Sequence, residues 1–422
     1  MRPEIAWAEA MKFENRPDPY RFFDELRRTP VARVADDLYV VTGYRELQTL
    51  THDPRVSSDI LRSPLPAKMG VSRESSSEAE PMKAQGRPPT PFILSDPPDH
   101  DRARRQAMRH FGPPHTPDLI PSMGPDIERL CDELLDRARG KTQIDLVDEY
   151  AYRVPLTVIC KIMGVPLDDE EALHDWIFHG VAGVDFSPEA ATEDGKARAA
   201  KGRESGPALR KYFLELIEDY LRKPGENLLS RLVNDDGPDG PMDPTEAAAN
   251  AILLFIAGHD STVNTISHCV LTLLRYPGSI ELLRRRPDLI PRAVEEVLRL
   301  QSAVQFFPSR SATADIEVGG TVIPEGSAIF LMYGAANRDP RRFPDPNKFD
   351  PERPDNEHFG WGSGIHVCFG GPLARLEVNI ALEVFLRRVE NPRLVVDPPP
   401  YRRSPVFRGP QHLVIDYDRI GD

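Results

Sequence analysis

Apolar residues recur three or four positions apart along most of this chain, a spacing typical of amphipathic helices. The pattern is clearest in four segments, "DPYRFFDELRR", "DIERLCDELLDRA", "ALRKYFLELIEDYLRK" and "LARLEVNIALEVFLRRVE". Pro and Gly residues interrupt the pattern between segments, as in "MGVPLDDEEA" and "RYPGSIELL". The sequence therefore predicts a mainly α protein.

Strand patterns are fewer. "VARVADDLYVVTG" predicts a hairpin, "DIEVGGTVIPEGSAIFLMYGA" predicts two paired strands, and "HLVIDY" predicts a last edge strand. Strands and helices do not alternate, and no GxGxxG opens a helix after a strand, so we expect no nucleotide site. The expected fold class is mainly α with a small, separate β region.

Composition and charge narrow the class of protein. The chain has 422 residues, of which 40% are hydrophobic and 28% charged, as in a globular protein with a large core. The breaks "SRESSSEAE" and "DDGPDGPMDP" are short enough to be surface loops, so we expect a single domain over residues 1–422. The net charge of −13 makes nucleic-acid binding an unlikely function.

Membrane insertion is not expected either. The N-terminal segment lacks the apolar core of a signal peptide or anchor. The longest apolar run, "AAANAILLFIAG", is followed by His259 and Asp260, so it predicts a buried core helix. We therefore expect a cytoplasmic protein that binds no membrane.

The four cysteines differ in their surroundings. Cys131, Cys160 and Cys269 lie in helical, apolar segments and are predicted to be small buried residues. Cys368 lies instead in the glycine-rich stretch "HFGWGSGIHVCFGGPLARLE". Pro372 predicts that a helix begins just after it, and the partial positive charge of a helix N-terminus favours a thiolate.

Several chemical interpretations of Cys368 are open. A nucleophilic thiolate needs an oriented histidine, and His366, two residues away, is a poor geometric match. Zinc needs three or four ligands, and only His358 and His366 are near in sequence. A free cysteine in a glycine turn is a third interpretation. A lone thiolate also suits a metal that something else already holds, and haem is such a metal centre.

The segment "WGSGIHVCFG" resembles the haem-binding loop of cytochrome P450 enzymes, with an aromatic residue, spaced glycines, a basic residue and the cysteine in order. The resemblance implies a cytochrome P450 fold and haem b (iron protoporphyrin IX), with the Cys368 thiolate as axial metal ligand. The aromatic residue is Trp here, where Phe is more common in the family. The other haem-contacting residues implied in this loop are Trp361, Gly362, His366 and Gly370.

The long apolar helix contains "AGHDST", which resembles the family's oxygen-activation stretch. The resemblance implies that Ala257 and Gly258 lie beside the haem, that Asp260 is the acid and that Ser261 is the alcohol in proton delivery. Thr262 is an alternative alcohol. Hydroxyl groups in the middle of a helix can donate to carbonyl groups of the same helix. The alternative interpretation of this segment is purely structural, a polar patch whose hydrogen bonds are satisfied by neighbouring helices.

Two further constellations fit the same family. Glu296 and Arg299 are three apart and share a helix face, which by itself indicates an ordinary ion pair. The family's ExxR pair joins a downstream arginine behind the haem, and the resemblance implies that this third member is Arg353. Four residues resemble family positions that contact haem propionates, although solvated basic side chains are a simpler alternative: His100, Arg104, Arg310 and His366.

The resemblance covers essentially the whole chain. It implies a bacterial-type monooxygenase that activates O2 and hydroxylates or epoxidises a hydrophobic small molecule. Electrons are expected from a separate ferredoxin and ferredoxin reductase, ultimately from NAD(P)H, and the enzyme is expected to be a monomer. Arg102, Arg105 and Arg109 form a basic cluster that is either a ferredoxin docking face or a set of solvated arginines.

The substrate pocket is predicted from apolar residues that could equally be core. Phe92 lies at the inner end of residues 58–94, which are expected to cover the pocket, and Val304, Phe306 and Phe307 precede Arg310. Two rival functions remain. A peroxide-driven peroxygenase or decarboxylase does not need the Asp260 relay, and a non-catalytic haem sensor has no regulatory segment to support it.

Overall fold

The computed structural model describes residues 1–59, 62–64, 89–182 and 188–422. Helices dominate this part of the chain, which confirms the predicted fold class. In chain order they are α1 (Pro3–Met11), α2 (Tyr20–Arg27), α3 (Tyr44–Thr51), α4 (Asp99–Arg109), α5 (Gly124–Asp136), α6 (Arg153–Met163), α7 (Glu170–Ala182), α8 (Glu193–Arg222), α9 (Leu228–Val233), α10 (Pro244–Arg275), α11 (Ser279–Arg285), α12 (Ile290–Gln301), α13 (Tyr333–Ala336) and α14 (Gly371–Arg388).

Strands form small sheets beside the helices. They are β1 (Val31–Ala35), β2 (Leu38–Val41), β3 (Val56–Ser57), β4 (Gln143–Asp145), β5 (Phe307–Ala312), β6 (Ile316–Val318), β7 (Thr321–Ile323), β8 (Ala328–Leu331), β9 (Val389–Glu390), β10 (Arg393–Leu394), β11 (Val414–Asp416) and β12 (Arg419–Ile420). The largest sheet has the order β1-β2-β8-β5-β3, and β6 pairs with β7 as a hairpin.

The strand predictions are partly correct. The first hairpin is β1 paired antiparallel with β2, as expected. The prediction that "HLVIDY" is a last edge strand is wrong, because β11 lies between β10 and β4 and β12 follows it. A strand contributed by residues 143–145 covers its second edge, and no local pattern in "HLVIDY" could reveal a partner so distant in sequence.

Helix α10 is the long central element that carries much of the site. Its N-terminus is capped by Asp243, whose side chain accepts the backbone N–H of Thr245 at 2.8 Å. Pro244 occupies the first turn, where a missing N–H does no harm. The helix packs against α6, α8, α12 and α14, so it runs through the main core. Across the described residues, no helix has the length and apolar character needed to cross a membrane.

A separate cluster of apolar residues holds the N-terminal helices to the large sheet. Trp7 of α1 meets Phe306 and Phe330 edge-on, at ring centroid distances of 5.9 and 5.6 Å. Phe306 stacks on Phe330 at 5.3 Å and is completely buried. Aromatic pairs of this kind stabilise a fold beyond the area they bury, so this cluster fixes the sheet that carries Arg310.

Candidate functional site

The loop before α14 has a backbone that only glycine permits at two positions. Gly362 and Gly364 have φ values of +71° and +69°. A Cβ atom on Gly364 would lie 2.1 Å from the carbonyl oxygen of Thr51, so the loop rests directly on the end of α3. The Cys368 N–H donates to the Trp361 carbonyl at 2.8 Å, which closes the loop behind the thiol.

Cys368 is the exposed member of the four cysteines. The other three are buried, as predicted, and burial raises the pKa of Cys131 and Cys160 to about 12. The thiol of Cys368 lies just ahead of α14, which begins at Gly371.

Two effects oppose each other at the Cys368 thiol. Although the residue is exposed by surface area, desolvation by the protein atoms packed around the sulfur raises its pKa, while the backbone N–H groups of Gly370 and Gly371 and the guanidinium groups of Arg104 and Arg375 lower it. The groups predicted to favour the thiolate are therefore present, but desolvation has the larger effect and the net pKa is raised. A cation bonded to the sulfur would favour the thiolate further.

Four basic side chains converge beside the loop. The rings of His100 and His366 lie 4.5 Å apart, and Arg104 donates to the Val367 carbonyl at 2.8 Å. Burial, and then the charges of Arg310, His100 and Arg104, lower the pKa of His366 to about 2. The structure therefore brings together all four residues that the sequence indicated for carboxylate binding.

Two nitrogens of this basic cluster lack partners. His100 Nε2 and His366 Nδ1 are buried and have no hydrogen-bond partner among the described residues. Buried donors and acceptors are rarely left unpaired in native proteins. Next to them, Ile365 and Val367 are exposed by 49% and 45%. An apolar surface rimmed by cationic donors fits a flat apolar ligand that carries carboxylates.

A second accessible surface lies on α10. Most of this helix is buried, but Ala257 at its centre is exposed, and Leu253 and Ser261, one turn to either side, are partly exposed. Residues four apart share one helix face, so these three mark a stripe that neighbouring elements leave uncovered. Gly258, beside this stripe, is also partly exposed, and a Cβ there would lie 3.2 Å from Ile159, so α10 packs closely on α6 at this glycine.

The hydroxyl residues of α10 bond back to their own helix, as the sequence suggested. Ser261 Oγ donates to the Ala257 carbonyl at 2.8 Å, and Thr262 Oγ1 donates to the Gly258 carbonyl at 3.0 Å. Thr262 is buried, whereas Ser261 is partly accessible. Of the two hydroxyl groups, only that of Ser261 lies on the accessible stripe.

Asp260 has a partner that sequence analysis missed. One carboxylate oxygen, Oδ1, accepts a hydrogen bond from the Arg402 guanidinium, while Oδ2 is buried and unpaired within the described part of the chain. Arg402 lies 142 positions downstream in a loop with no strand or helix pattern. An exposed-looking arginine in a proline-rich loop carries no local signal for such a contact.

The ExxR residues form a buried ion triad. Arg299 donates from Nε and Nη2 to the two oxygens of Glu296 at 2.7 and 2.8 Å, and Arg353 Nε reaches the same carboxylate at 3.1 Å. The second arginine was indicated only by the family resemblance. Arg299 also donates to three backbone carbonyls, those of Asn337, Pro346 and Lys348. The triad therefore ties α12 to the loop that leads into the cysteine segment.

A second carboxylate, which the sequence did not single out, holds Trp361. Glu295 accepts the indole N–H of Trp361 at 2.9 Å and Arg375 Nε at 2.7 Å. His358 Nδ1 accepts the Gly360 N–H, so its other nitrogen is the donor to Glu295 at 3.1 Å. Burial raises the pKa of Glu295, but these three donors prevail and lower it to about 2. Trp361 is thus fixed at both its backbone and its ring.

The predicted pocket residues separate into two groups. Phe306 is core, as described above, and its assignment to the pocket is not supported. Phe92 is buried too and contacts His100 and Phe369, so it lies beside the basic cluster. Residues 60–61 and 65–88, most of the predicted cover, lie outside the described residues.

Val304 and Phe307 remain partly exposed. Val304 forms a β-bridge with Phe407, a further partly exposed apolar residue from the C-terminal segment. The bridge is flanked by backbone hydrogen bonds from Gln305 N–H to the Val406 carbonyl and from Arg408 N–H to the Ala303 carbonyl. Phe407 therefore joins Val304 as a candidate for the pocket wall.

The basic cluster proposed for docking is neutralised within the chain. Arg102 pairs with Glu246 at 2.7 Å and Arg105 with Asp239 at 2.8 Å. Arg109 lies 3.3 Å from the buried carboxylate of Asp235. These contacts join α4 to the loop before α10 and to the first turn of α10, and the Arg105 side chain stays 60% exposed, so the docking face remains a prediction.

A mainly helical fold with an exposed cysteine before a helix and a cationic cluster beside it fits the class of thiolate haem proteins. Comparison with known proteins agrees. The family model described as Cytochrome P450 matches residues 208–412. The chain is 34% identical to 6-deoxyerythronolide B hydroxylase of Saccharopolyspora erythraea, over 95% of this chain and 96% of that protein. It is 35% identical to vitamin D(3) 25-hydroxylase of Pseudonocardia autotrophica, over 93% and 92%.

Comparison with solved structures indicates the same family. The ligand-free crystal structure of Mycobacterium smegmatis CYP164A2 superposes with a TM-score of 0.85 and 32% identity, covering 98% of this chain and all of that one. The chain belongs to the cytochrome P450 family. It is a monooxygenase of the bacterial type, an oxidoreductase that incorporates oxygen from O2, and its cofactor is haem b. The exposed thiol, the apolar loop surface and the unpaired histidine nitrogens fit that cofactor.

Proposed function

We propose that the chain works as a single domain that inserts one oxygen atom of O2 into a hydrophobic small molecule, by hydroxylation or epoxidation, with electrons from a ferredoxin and its reductase. The haem, when bound, supplies the reductive activation of dioxygen. The chain supplies the sulfur ligand, the orientation of the cofactor, the pocket wall and the protons. The rest of the proposal assigns these tasks to residues.

In this proposal Cys368 would supply the sulfur ligand of the haem, and Trp361, Gly362 and Gly370 shape its loop. The N–H groups that converge on the sulfur spread its negative charge, and the ring of Trp361 is held beside the loop by Glu295. His100, Arg104, Arg310 and His366 bind the two propionates through charge-assisted hydrogen bonds. The single observation that carries the assignment is the exposed thiol next to a buried basic cluster with unpaired nitrogens.

The task of proton delivery is assigned to residues of α10. Ser261 lies on its accessible stripe, where a hydroxyl can donate to a reacting oxygen, and Asp260 next to it can pass a proton to that hydroxyl. Oδ1 of Asp260 is held by Arg402, so Oδ2 is the oxygen left to carry the proton. Thr262 is buried, whereas Ser261 is partly accessible, which favours Ser261 as the donor.

The substrate is proposed to be a hydrophobic small molecule. Val304, Phe307 and Phe407 are partly exposed apolar residues, and the α10 stripe adds Leu253 and Ala257. Two relatives are named as hydroxylases, one of vitamin D(3) and one of 6-deoxyerythronolide B. One similar solved structure holds testosterone and another holds myristic acid. All of these support an apolar pocket.

The ligand assignment is tested with two matched cysteine variants. Cys368→Ala removes the proposed ligand, and Cys269→Ala makes the same chemical change at a buried cysteine on α10. We expect Cys368→Ala to lose the carbon-monoxide difference spectrum of thiolate-ligated haem and Cys269→Ala to keep it. The assignment fails if both variants give the spectrum of the unchanged protein.

The electron source is tested by comparing two oxidant systems on the same protein. A surrogate ferredoxin with its reductase and NADPH should support O2-dependent product formation from a test panel of steroids and fatty acids. Hydrogen peroxide alone should support much less. Equal turnover with peroxide, insensitive to Asp260→Asn, would instead favour a peroxide-driven peroxygenase.

A further inference from the structure

Beyond Asp260, α10 has a row of buried polar side chains that lack hydrogen-bond partners among the described residues. Asn264, His268 and Thr272 follow Asp260 at intervals of four, so they form one continuous row along the helix. All four are at least nine-tenths buried. Asp260 Oδ2, both amide atoms of Asn264, both ring nitrogens of His268 and Thr272 Oγ1 have no hydrogen-bond partner in the part of the chain that the structure describes.

The C-terminal segment covers this row. Arg402 binds Asp260, and Tyr401 lies 6.2 Å from the His268 ring. A Cβ on Gly409 would lie 2.1 Å from Asn264 Oδ1, so the backbone passes directly over that amide. Beyond Thr272 the helix ends at Arg275, which donates to Asp397 of the same segment at 3.0 Å. The Arg275–Asp397 pair is partly exposed, so the row runs from the buried Asp260 to the protein surface.

Leaving all of these groups unsatisfied would cost too much free energy for the folded protein to be stable. A buried polar group without a partner costs about 1–3 kcal/mol, and the row contains six unpaired atoms. The sum is comparable with the entire stability of a typical folded domain, about 5–15 kcal/mol. Buried groups of this kind are normally bridged by internal water. Water is therefore the partner that the row requires.

The geometry suits single water molecules. Side chains four apart on a helix are about 5–6 Å from one another, and two hydrogen bonds of about 2.8 Å span that separation. One water between each neighbouring pair would bridge the whole row. From Asp260 to Thr272 the helix rises about 18 Å.

We propose that a file of bound water molecules along Asn264, His268 and Thr272 carries protons from the surface near Arg275 to Asp260. When Asp260 gives up the proton on Oδ2, the adjacent water replaces it and takes one from the next water, and the last proton comes from bulk solvent. Burial, and then the charges of Arg408, Arg275 and Arg338, keep the pKa of His268 well below its usual value. A neutral imidazole offers one donor and one acceptor, as a relay needs. This inference rests on the proposed role of Asp260.

The first test is structural. A crystal structure of the haem-loaded protein, at a resolution that shows ordered water, should contain water within hydrogen-bond distance of Asn264, His268 and Thr272. If the side chains instead pair with one another or with backbone and no water lies between them, the proposal is wrong.

The second test is kinetic and uses oxygen consumption driven by NADPH through a surrogate ferredoxin and its reductase. Asn264→Leu should lower this rate about tenfold or more, as loss of a positioned proton donor does, and should raise its solvent deuterium isotope effect. Asn264→Ser, which keeps a polar group, should restore much of the rate. Ser267→Ala is the matched control, because Ser267 is equally buried but already bonded to the Val263 carbonyl at 2.8 Å.

Two comparisons separate the possible failures. If Asp260→Asn slows oxygen consumption but Asn264→Leu behaves like Ser267→Ala, the water file is refuted and the role of Asp260 stands. If Asp260→Asn has no effect, the role of Asp260 fails and the file fails with it. The carbon-monoxide spectrum checks that each variant is folded around its haem. Should Asn264→Leu not fold, Thr272→Val, which keeps the side-chain shape, is measured against the same expectations.

Discussion

Neutralising Glu296 tests the buried triad most directly. The side chains of Glu296 and Arg299 are 0% exposed and that of Arg353 is 7% exposed, so Glu296→Gln leaves two buried guanidinium groups without a counter-charge. Removing one member of a buried ion pair typically destabilises a protein by about 3–5 kcal/mol. Since each 1.4 kcal/mol changes an equilibrium constant about tenfold, the unfolded fraction should rise by about two to four orders of magnitude.

An isosteric control exists in the same loop. Asp355 binds Arg342 at 2.6 Å, but its side chain is 65% exposed, so Asp355→Asn should cost only about 0–1 kcal/mol. Urea titration of the haem-loaded proteins, followed by haem absorbance and tryptophan fluorescence, gives both free energies of unfolding. Haem content after expression gives an independent measure. Equal shifts for the two variants would refute the argument that burial makes the triad essential.

Three further predictions concern separate parts of the chain. Burial raises the pKa of Glu377 to about 8, so the folded state holds a proton that the unfolded state releases above about pH 4.3. The free energy of unfolding should therefore fall as the pH rises towards 8. Glu377→Gln should flatten this fall in urea titrations at several pH values. Ser261→Ala should raise the peroxide released per NADPH consumed, and more than Thr262→Val does, whereas equal effects would contradict the preference for Ser261. Arg105→Gln should change the KM for a surrogate ferredoxin less than about twofold, because Arg105 is already paired, and a large salt-dependent increase would contradict this.

The sequence predicted the helices more accurately than the arrangement of strands in the sheets. Helical periodicity is local, so segments such as "ALRKYFLELIEDYLRK" could be assigned from their own residues, and all of that one except its last residue lies within α8. A strand's place in a sheet depends on partners far away in sequence. The pairing of β11 with residues 143–145 is the example, because it turned a predicted edge strand into a central one.

The same distinction holds for the site. Cys368 and its glycines lie in one short stretch, and a family resemblance was enough to indicate the residues around it. The structure adds contacts between segments that have no common motif, such as Arg402 on Asp260 and Glu295 on Trp361. Glu295 directly precedes the ExxR glutamate, so the residue itself is easy to locate in the sequence. Its role is not, because its three hydrogen-bond donors come from two other segments.

The charge pattern of the sequence did not reveal the ion pairs within the chain. Arg102, Arg105 and Arg109 stand out as a basic run on one helix, yet their acidic partners lie between residues 235 and 246. A count of local charge cannot detect such neutralisation. Any surface proposed for an electron donor on this enzyme has to be judged from the paired structure and not from the sequence.

The bridge between Val304 and Phe407 has a practical consequence for changing what the enzyme oxidises. Main-chain atoms of the flanking residues make the hydrogen bonds that join these two segments, so replacing either side chain leaves the join intact. A combinatorial library that varies positions 304 and 407 together can therefore reshape the proposed pocket wall while the scaffold beneath it stays in register.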